Sequence, residues 1–284
     1  FEPGAALDLV ERHGITATLV VPTMLAAMIE EQLCRPREVS TLRYLSHGGS
    51  PISTETLKRA HRAFPGAELL HIYGATETSP IATLLPHEER VLETPRARSC
   101  GQPARGVEVA VISPSGDRLP TGEVGELAVR GANVMAGYWA KPQATAAALV
   151  EGWYRSGDLG YQDDEGYLYL IDRAKDMIIT GGENVYSTEV EEALYSHPAV
   201  LEAAVFGVPD ERWGEAVHAV VVLRERVAPG ALASHCRALI AGYKVPKVID
   251  IQNDPLPKSA AGKVLKRQLR EQYWASMGTQ VAVA

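Results

Sequence analysis

Two rhythms of apolar residues divide this chain, and they constrain its fold more than any other feature. Residues 4–85 alternate helix-period segments with short β-branched runs. Ala5–His13 has helical spacing, and Ala17–Val21 reads as a strand closed by Pro22, which suits the first turn of a helix over Thr23–Leu33. Leu42–Ser46 predicts a strand, Thr54–Ala63 a helix capped by Ser53 with Glu55 in its first turn, and Glu68–Ile72 a further strand. Short buried strands alternating with helices predict a mostly parallel sheet with helices on its faces. Ligands on such sheets sit at the carboxyl ends of the strands. The loops His47–Pro51 and Tyr73–Glu77 fall at such ends.

After about residue 99 the period shortens to two. Val107–Ser113 and Val124–Arg130 predict antiparallel strands around a Ser-Pro-Ser-Gly-Asp turn, followed by a short helix Pro142–Leu149 and a strand Tyr167–Ile171. This is a small β barrel or an open sheet. A second domain is expected from Asp172, with a hairpin at Met177–Thr180, a helix Thr188–Ser196 and strands Ala203–Gly207 and Glu215–Leu223. Helices Ala231–Ala241 and Val264–Trp274 follow, and the residues from about Ser276 read as a frayed tail. The expected class is α/β plus α+β. One domain would span residues 1–171, α/β over 1–98 and barrel-like over 99–171, and a smaller α+β domain would span 172–284.

Of the 284 residues, 46% are hydrophobic and 22% charged, the composition of a globular and not a disordered chain. A net charge of −7 argues against nucleic acid as the main partner. A polyanionic cofactor needs only a local cluster of cations and stays open. Cys34, Cys100 and Cys236 match no metal-ligand spacing and predict buried thiols in a reducing compartment. No apolar run approaches the ~20 residues of a membrane span, and no signal-peptide pattern is present. A cytoplasmic location is expected, peripheral at a membrane if the substrate is a long-chain lipid. The first residues, Phe1-Glu-Pro, lack a methionine and predict a start inside a longer protein. No HExxH or GxSxG pattern occurs, and His47 and His71 read either as core histidines or as the border of a substrate pocket.

Four segments could carry chemistry. Tyr73-Gly-Ala-Thr-Glu77 follows a strand and offers a ring, hydroxyls and a carboxylate that can hold Mg²⁺; alternatively it is a strand end and turn capped by Thr76. Asp158 in Ser156-Gly-Asp can accept from both hydroxyls of a ribose, or can close an Asx turn. Asp172–Glu191 combines a charged run, an apolar run and Gly181-Gly182, either a hairpin between domains or a site where the backbone bends around a polar ligand. Lys263 follows Gly262 in the segment Pro257–Gly262 and reads as a solvated charge or a mobile cation, and Lys244 and Lys247 read as solvated lysines or phosphate ligands.

Taken in order, these segments resemble the AMP-forming, carboxylate-activating ligases, and most of all their acyl-CoA synthetases. The resemblance implies ATP or AMP, Mg²⁺ and coenzyme A as ligands, with a carboxylate as substrate. It would place Tyr73 and Gly74 against adenine, Thr76 at the α-phosphate and Glu77 on the metal. Gly49, Ser50 and Pro51 would form the facing wall, and Asp158 and Arg173 would hold the ribose. Lys263 would be the mobile adenylation lysine, Lys175 the pivot of a small mobile domain, and Gly181 and Gly182 the lining for the pantetheine arm. Loading of a carrier-protein pantetheine, or a non-catalytic nucleotide- or coenzyme-binding role, remain the alternatives.

The phosphate loop of that family, a Ser/Thr/Gly-rich stretch ending in Pro-Lys-Gly, does not occur in residues 1–72. The resemblance therefore implies the carboxyl-terminal portion of such a ligase, with its amino-terminal half as the absent partner. Apolar faces and strand edges should then stand uncovered, and residues 1–284 alone should not make acyl-adenylate from ATP. Nothing in the sequence sets the oligomeric state.

Overall fold

Proline and capping residues punctuate the first third of the chain. Pro3 and Pro22 occupy first turns, where a missing N–H costs nothing, and start helices α1 (Pro3–His13) and α2 (Pro22–Cys34) on either side of strand β1 (Ala17–Val20). Strand β2 (Tyr44–Gly48) leads into helix α3 (Thr54–Ala63), capped by the Ser53 hydroxyl accepting from the Thr56 N–H at 3.2 Å. The computed structural model describes residues 1–50, 52–259 and 263–276. It divides the chain into Phe1–Leu170 and Ile171–Ala284.

In the first unit, β1, β2 and β3 (Glu68–Tyr73) pair in parallel, and β4 (Thr83–Leu85) and β5 (Gln102–Pro103) extend the sheet antiparallel in the order β1-β2-β3-β4-β5. The second strand begins at Tyr44 and not at Leu42: the Arg43 and Tyr44 N–H groups both donate to the Thr16 carbonyl, while Leu42 turns into the core. Leu7, Leu25, Met28 and Leu57 from all three helices form one apolar cluster with Val20, Leu45 and Leu69 of the strands. The expected helices on both faces are thus found on one. On the other face Leu19 and Tyr44 are 55% and 46% exposed, an uncovered apolar surface at the edge strand.

The second sheet of this unit contains β6 (Val107–Ile112), β7 (Gly125–Gly131), β8 (Leu149–Val150), β9 (Trp153–Gln162) and β10 (Leu168–Arg173), with helix α4 (Pro142–Ala148) ahead of β8. Its path β10-β9-β7-β6, with β8 beside β9, is an open sheet and not a closed barrel. Strand β9 is a ten-residue element that no apolar alternation in the sequence announces.

In the second unit, β11 (Ile178–Thr180) and β12 (Glu183–Val185) form the expected hairpin, and helix α5 (Ser187–Tyr195) follows. Strands β13 (Val200–Asp210) and β14 (Gly214–Leu223) pair along their length; helix α6 (Pro229–Leu239), strand β15 (Val248–Gln252) and helix α7 (Lys266–Ser276) complete the unit. The near-continuous apolar runs of β13 and β14 are explained by burial on both sides. Ala203, Val205, Val217 and Val221 pack with Val190 of α5 and Leu232 of α6, whereas Ala204, Phe206, Val220 and Val222 pack with Leu269 of α7. Cys100 and Cys236 are buried, but Cys34, at the end of α2, is exposed, contrary to the expected buried thiol. Among the described residues no helix is long and apolar enough to cross a membrane.

Candidate active site

The segment after β3 is built around a glycine that tolerates no side chain. A Cβ on Gly74 would lie 1.9 Å from the Pro80 carbonyl oxygen, so the chain can fold back over itself only here. The Thr78 hydroxyl accepts from the Ala75 N–H at 2.9 Å and donates to the Ala75 carbonyl at 3.0 Å, closing the 3-10 turn Thr76–Thr78. The turn is therefore capped by Thr78, which is buried, and not by Thr76, as one reading of the sequence expected. Thr76 is exposed on the outside of the turn.

A second segment latches this turn. Asn133 Nδ2 donates to the carbonyls of Thr78 (2.9 Å) and Ile81 (2.7 Å), and the Met135 N–H donates to the Glu77 carbonyl at 2.8 Å. Tyr138 donates its hydroxyl to Glu77 Oε1 at 2.8 Å and so orients the half-buried carboxylate. Burial, and then the Glu77 carboxylate, push the Tyr138 phenol above its usual range. Neither Asn133 nor Tyr138 was legible as a site residue, because both act across more than fifty residues.

Tyr73 and Asp158 are brought together. The Tyr73 hydroxyl donates to Asp158 Oδ2 at 2.8 Å. Its ring is buried among Ala82, Cys100, Leu127 and Leu168, and 8% of the residue remains exposed. A ring so enclosed offers a base only a narrow strip. Burial first, and then the Asp158 charge, drive the Tyr73 phenol far above the ordinary tyrosine range, so it stays a donor at every physiological pH.

Asp158 reaches Tyr73 through a bulge. In the β7–β9 pairing Ala128 faces Arg155 and Glu126 faces Leu159, so Ser156-Gly157-Asp158 stands opposite Leu127 alone. Gly157 takes φ +71°, open to glycine at little cost. The Ser156 hydroxyl donates to the Leu127 carbonyl at 2.7 Å and accepts from the Asp158 N–H at 3.0 Å, while Glu126 accepts from the Gly157 N–H at 3.0 Å and from Arg155 Nε at 2.8 Å. Arg155 and Ser156 are the supports that aim Asp158, a role that no sequence signal marks.

The loop after β2 places Gly49, exposed, and Ser50, half-buried, at the carboxyl end of the sheet beside β3. Pro51 lies outside the described residues. Beneath this loop His47 is fully buried, bonds Glu88 through Nε2 and stacks on His71 with ring centroids 4.9 Å apart. His47 is thus a core residue, whereas His71 is half-buried beside it.

In the second unit, Arg173, half-buried, is the last residue of β10, and Lys175, exposed, follows in the turn after it. Gly181 and Gly182 take φ +62° and +85° at the hairpin tip, where a Cβ on Gly181 would meet the Trp213 ring at 2.7 Å. Lys263 is exposed and follows a tip, 260–262, that lies outside the described residues. The flanks pair: the Ser259 N–H donates to the Lys263 carbonyl at 2.8 Å and the Leu265 N–H to the Pro257 carbonyl at 2.8 Å. Lys244 is paired with Glu189 at 2.7 Å and Lys247 with Asp210 at 2.9 Å, so neither is simply solvated.

Two family models match the chain: AMP-binding enzyme over residues 1–139, and AMP-binding enzyme C-terminal domain over residues 189–263. A feruloyl-CoA synthase of Amycolatopsis sp is 42% identical, the match covering 96% of this chain and 55% of that protein. A fatty acid–[acyl-carrier-protein] ligase of Streptomyces coeruleorubidus is 40% identical over 99% of this chain and 54% of its own. Among solved structures, the O-succinylbenzoate coenzyme A synthetase of Bacillus subtilis, in complex with ATP and magnesium ion, superposes with a TM-score of 0.83 at 38% identity, covering 95% of this chain and 54% of that one. The chain spans about half the length of the curated relatives it matches.

Proposed function

Because the chain belongs to the AMP-binding enzyme family, we propose that it is a portion of a ligase that activates a carboxylate with ATP as an acyl-adenylate and transfers the acyl group to coenzyme A. The observation that carries this reading is the Tyr73–Asp158 hydrogen bond, which ties the Tyr73–Glu77 turn to the bulge bearing the ribose-binding candidate. In this reading Gly49, Ser50, Tyr73 and Gly74 border adenine, and Asp158 accepts from the ribose hydroxyls. Thr76 donates to the α-phosphate from its exposed position. Arg173 adds a second ribose contact.

Mg²⁺ fits Glu77: one oriented carboxylate plus nucleotide oxygens is the coordination this ion favours, and Tyr138 fixes that carboxylate. Among the described residues no cluster of three ligating side chains offers an all-protein cage. The bound ion would neutralise phosphate charge as pyrophosphate leaves. Lys263 would supply the mobile cation for the same step, Lys175 the pivot, and Gly181 and Gly182 a thin wall for a pantetheine arm.

Medium or long fatty acids and aryl-propenoic acids are the proposed substrate classes, in keeping with the names of the relatives. The acyl-carrier-protein ligase among those relatives favours a second reading, in which the accepting pantetheine sits on a carrier protein. Turnover with coenzyme A against turnover with holo-carrier protein separates the two.

Calorimetric titration of the chain with AMP tests the nucleotide site. AMP should bind, and Asp158→Ala should weaken it at least tenfold while leaving the fold intact by circular dichroism. Equal affinity for both proteins would remove Asp158 from the site. ATP–pyrophosphate exchange should be undetectable for residues 1–284 alone and should appear when a phosphate-loop-bearing segment of the family complements them. Exchange by the purified chain alone would overturn the proposed division of labour.

A further inference from the structure

Helix α7 begins three residues after Lys263 and carries two cations on one face, Lys266 and Arg270, spaced i and i+4. Lys266 meets helix α5, and Arg270 meets the chain just after β10. Lys266 Nζ lies 2.7 Å from Glu191 Oε1 and donates to the Ser187 hydroxyl at 2.7 Å. Ser187 passes the bond on, its hydroxyl donating to Asp172 Oδ2 at 2.8 Å and its N–H to the same oxygen at 2.5 Å. Asp172 Oδ1 accepts from the Arg173 N–H at 2.7 Å. One turn further along α7, Arg270 Nη1 donates to the Lys175 carbonyl at 3.3 Å.

This network is enclosed. Ser187 is fully buried and Asp172 is 7% exposed, while the side chains of Lys266 and Glu191 are 17% and 15% exposed. Burial raises the Glu191 carboxyl above its ordinary range, opposed by the Lys266 charge and by the Val205 N–H. Taking such charges out of water is costly, and an apolar substitute would often serve stability as well. A role in stability alone does not account for the arrangement, because α7 already has other anchors. Leu269 is buried against β13 and β14, and Tyr273 donates its hydroxyl to Asp250 at 2.7 Å and packs on His218 and Phe206. The ionic face fastens something else, namely the backbone from Asp172 to Lys175.

We propose that Lys266 and Arg270 are positioning residues that clamp the segment Asp172–Lys175 to the start of α7, so that the place of Lys263 is set by the backbone at the pivot. The relay runs Lys266, Ser187, Asp172, Arg173, with Arg270 holding Lys175 directly. This rests on the reading of Lys175 as pivot and Lys263 as the adenylation lysine. A Lys263 on a helix docked only through Leu269 and Tyr273 would keep its neighbourhood but lose its register with the pivot.

Hydrogen exchange of the 284-residue chain, followed by mass spectrometry, tests the clamp. Lys266→Met should raise exchange about tenfold or more in peptides covering Arg173–Met177 and Ser187, the cost of losing a charge-assisted bond. Peptides from β13, β14 and the Leu269–Tyr273 stretch of α7 should not change, and Lys266→Arg should restore protection. Arg270→Met should loosen Lys175–Met177 and leave Ser187 protected. Unchanged exchange at Arg173–Met177 overturns the proposal, and so does a rise spread across the whole unit, which would mark Lys266 as a general stabiliser. Because the readout needs no catalysis, it is distinct from the test of the functional reading. If Lys263→Ala left adenylation intact in the whole enzyme, that reading would fall while the clamp stood.

Discussion

Tyr73 and Asp158 lie 85 positions apart in sequence, yet the hydroxyl of one donates to the carboxylate of the other at 2.8 Å. The bond joins the last residue of a parallel strand to the tip of a bulge in the neighbouring open sheet. It fixes a carboxylate oxygen beside the turn that carries Thr76 and Glu77. The strength of the bond comes from burial of the donor and the charge of the acceptor.

Tyr73→Phe keeps the ring in its apolar surroundings and removes only the donor. Hydrogen bonds to charged groups contribute about 1.5–3 kcal/mol, and the first unit should lose stability in that range. Urea unfolding monitored by the near-ultraviolet signal of the first unit measures it. A loss below about 0.5 kcal/mol would show that ring packing alone holds this junction.

Gly74→Ala should be far more damaging than an exposed glycine substitution. The added carbon would sit 1.9 Å from the Pro80 carbonyl oxygen and 2.6 Å from its carbon, both backbone atoms of the same turn. Relief requires the turn to open, which breaks the Thr78 and Asn133 bonds that hold it. A destabilisation above about 3 kcal/mol is expected, at the upper end for point substitutions, and AMP binding should go with it. Normal melting and normal AMP affinity in the Gly74→Ala variant would mean the turn is not rigid.

Where the apolar pattern was local and regular, the elements were legible. Ser53 marks the start of α3, and the alternation of Val107–Ile112 and the apolar runs of the β13–β14 pair reveal those strands directly. Strand β9 was hidden because the bulge Ser156-Gly157-Asp158 interrupts its alternation at the candidate ribose ligand. The site was legible only as separate segments. In the first unit the contacts of Tyr73 with Asp158 and of Tyr138 with Glu77 span 85 and 61 positions, and in the second the contact of Lys266 with Ser187 spans 79. No local pattern encodes such a contact. Thr76 and Thr78 show the limit at close range: two like residues in one turn, one facing in and one facing out.

Lys263→Ala should separate the two half-reactions. In the whole enzyme, loss of a group that stabilises developing charge typically costs about 10²–10³ in rate, so adenylation should fall by that factor. Thioester formation from supplied acyl-adenylate should change little, because no phosphorus–oxygen bond is broken to pyrophosphate in that step. Stopped-flow measurement of each half-reaction checks this, and equal losses in both would remove the assigned role.

His71, half-buried against His47, predicts an acid-sensitive first unit. Burial, and then the stacked His47, lower the His71 pKa from the ordinary 6.5 to about 4, against the opposing pull of the Glu88 carboxylate 3.8 Å away and the Ser99 carbonyl at 3.3 Å. Above pH 6.5 the ring is neutral in both folded and unfolded chains and contributes no pH dependence. As pH falls from 6.5 toward 4, the unfolded chain binds a proton that the folded one refuses, so stability drops by about 1.4 kcal/mol per pH unit. Below about 4 both states are protonated and this loss stops growing. His71→Gln keeps a polar group opposite Ser99 but cannot titrate. Between pH 7 and about pH 5 it should therefore lose about 2 kcal/mol less stability than the unsubstituted chain, measured by urea unfolding at each pH. Identical pH slopes for the two proteins would show that His71 takes up its proton in the folded state as readily as in the unfolded one.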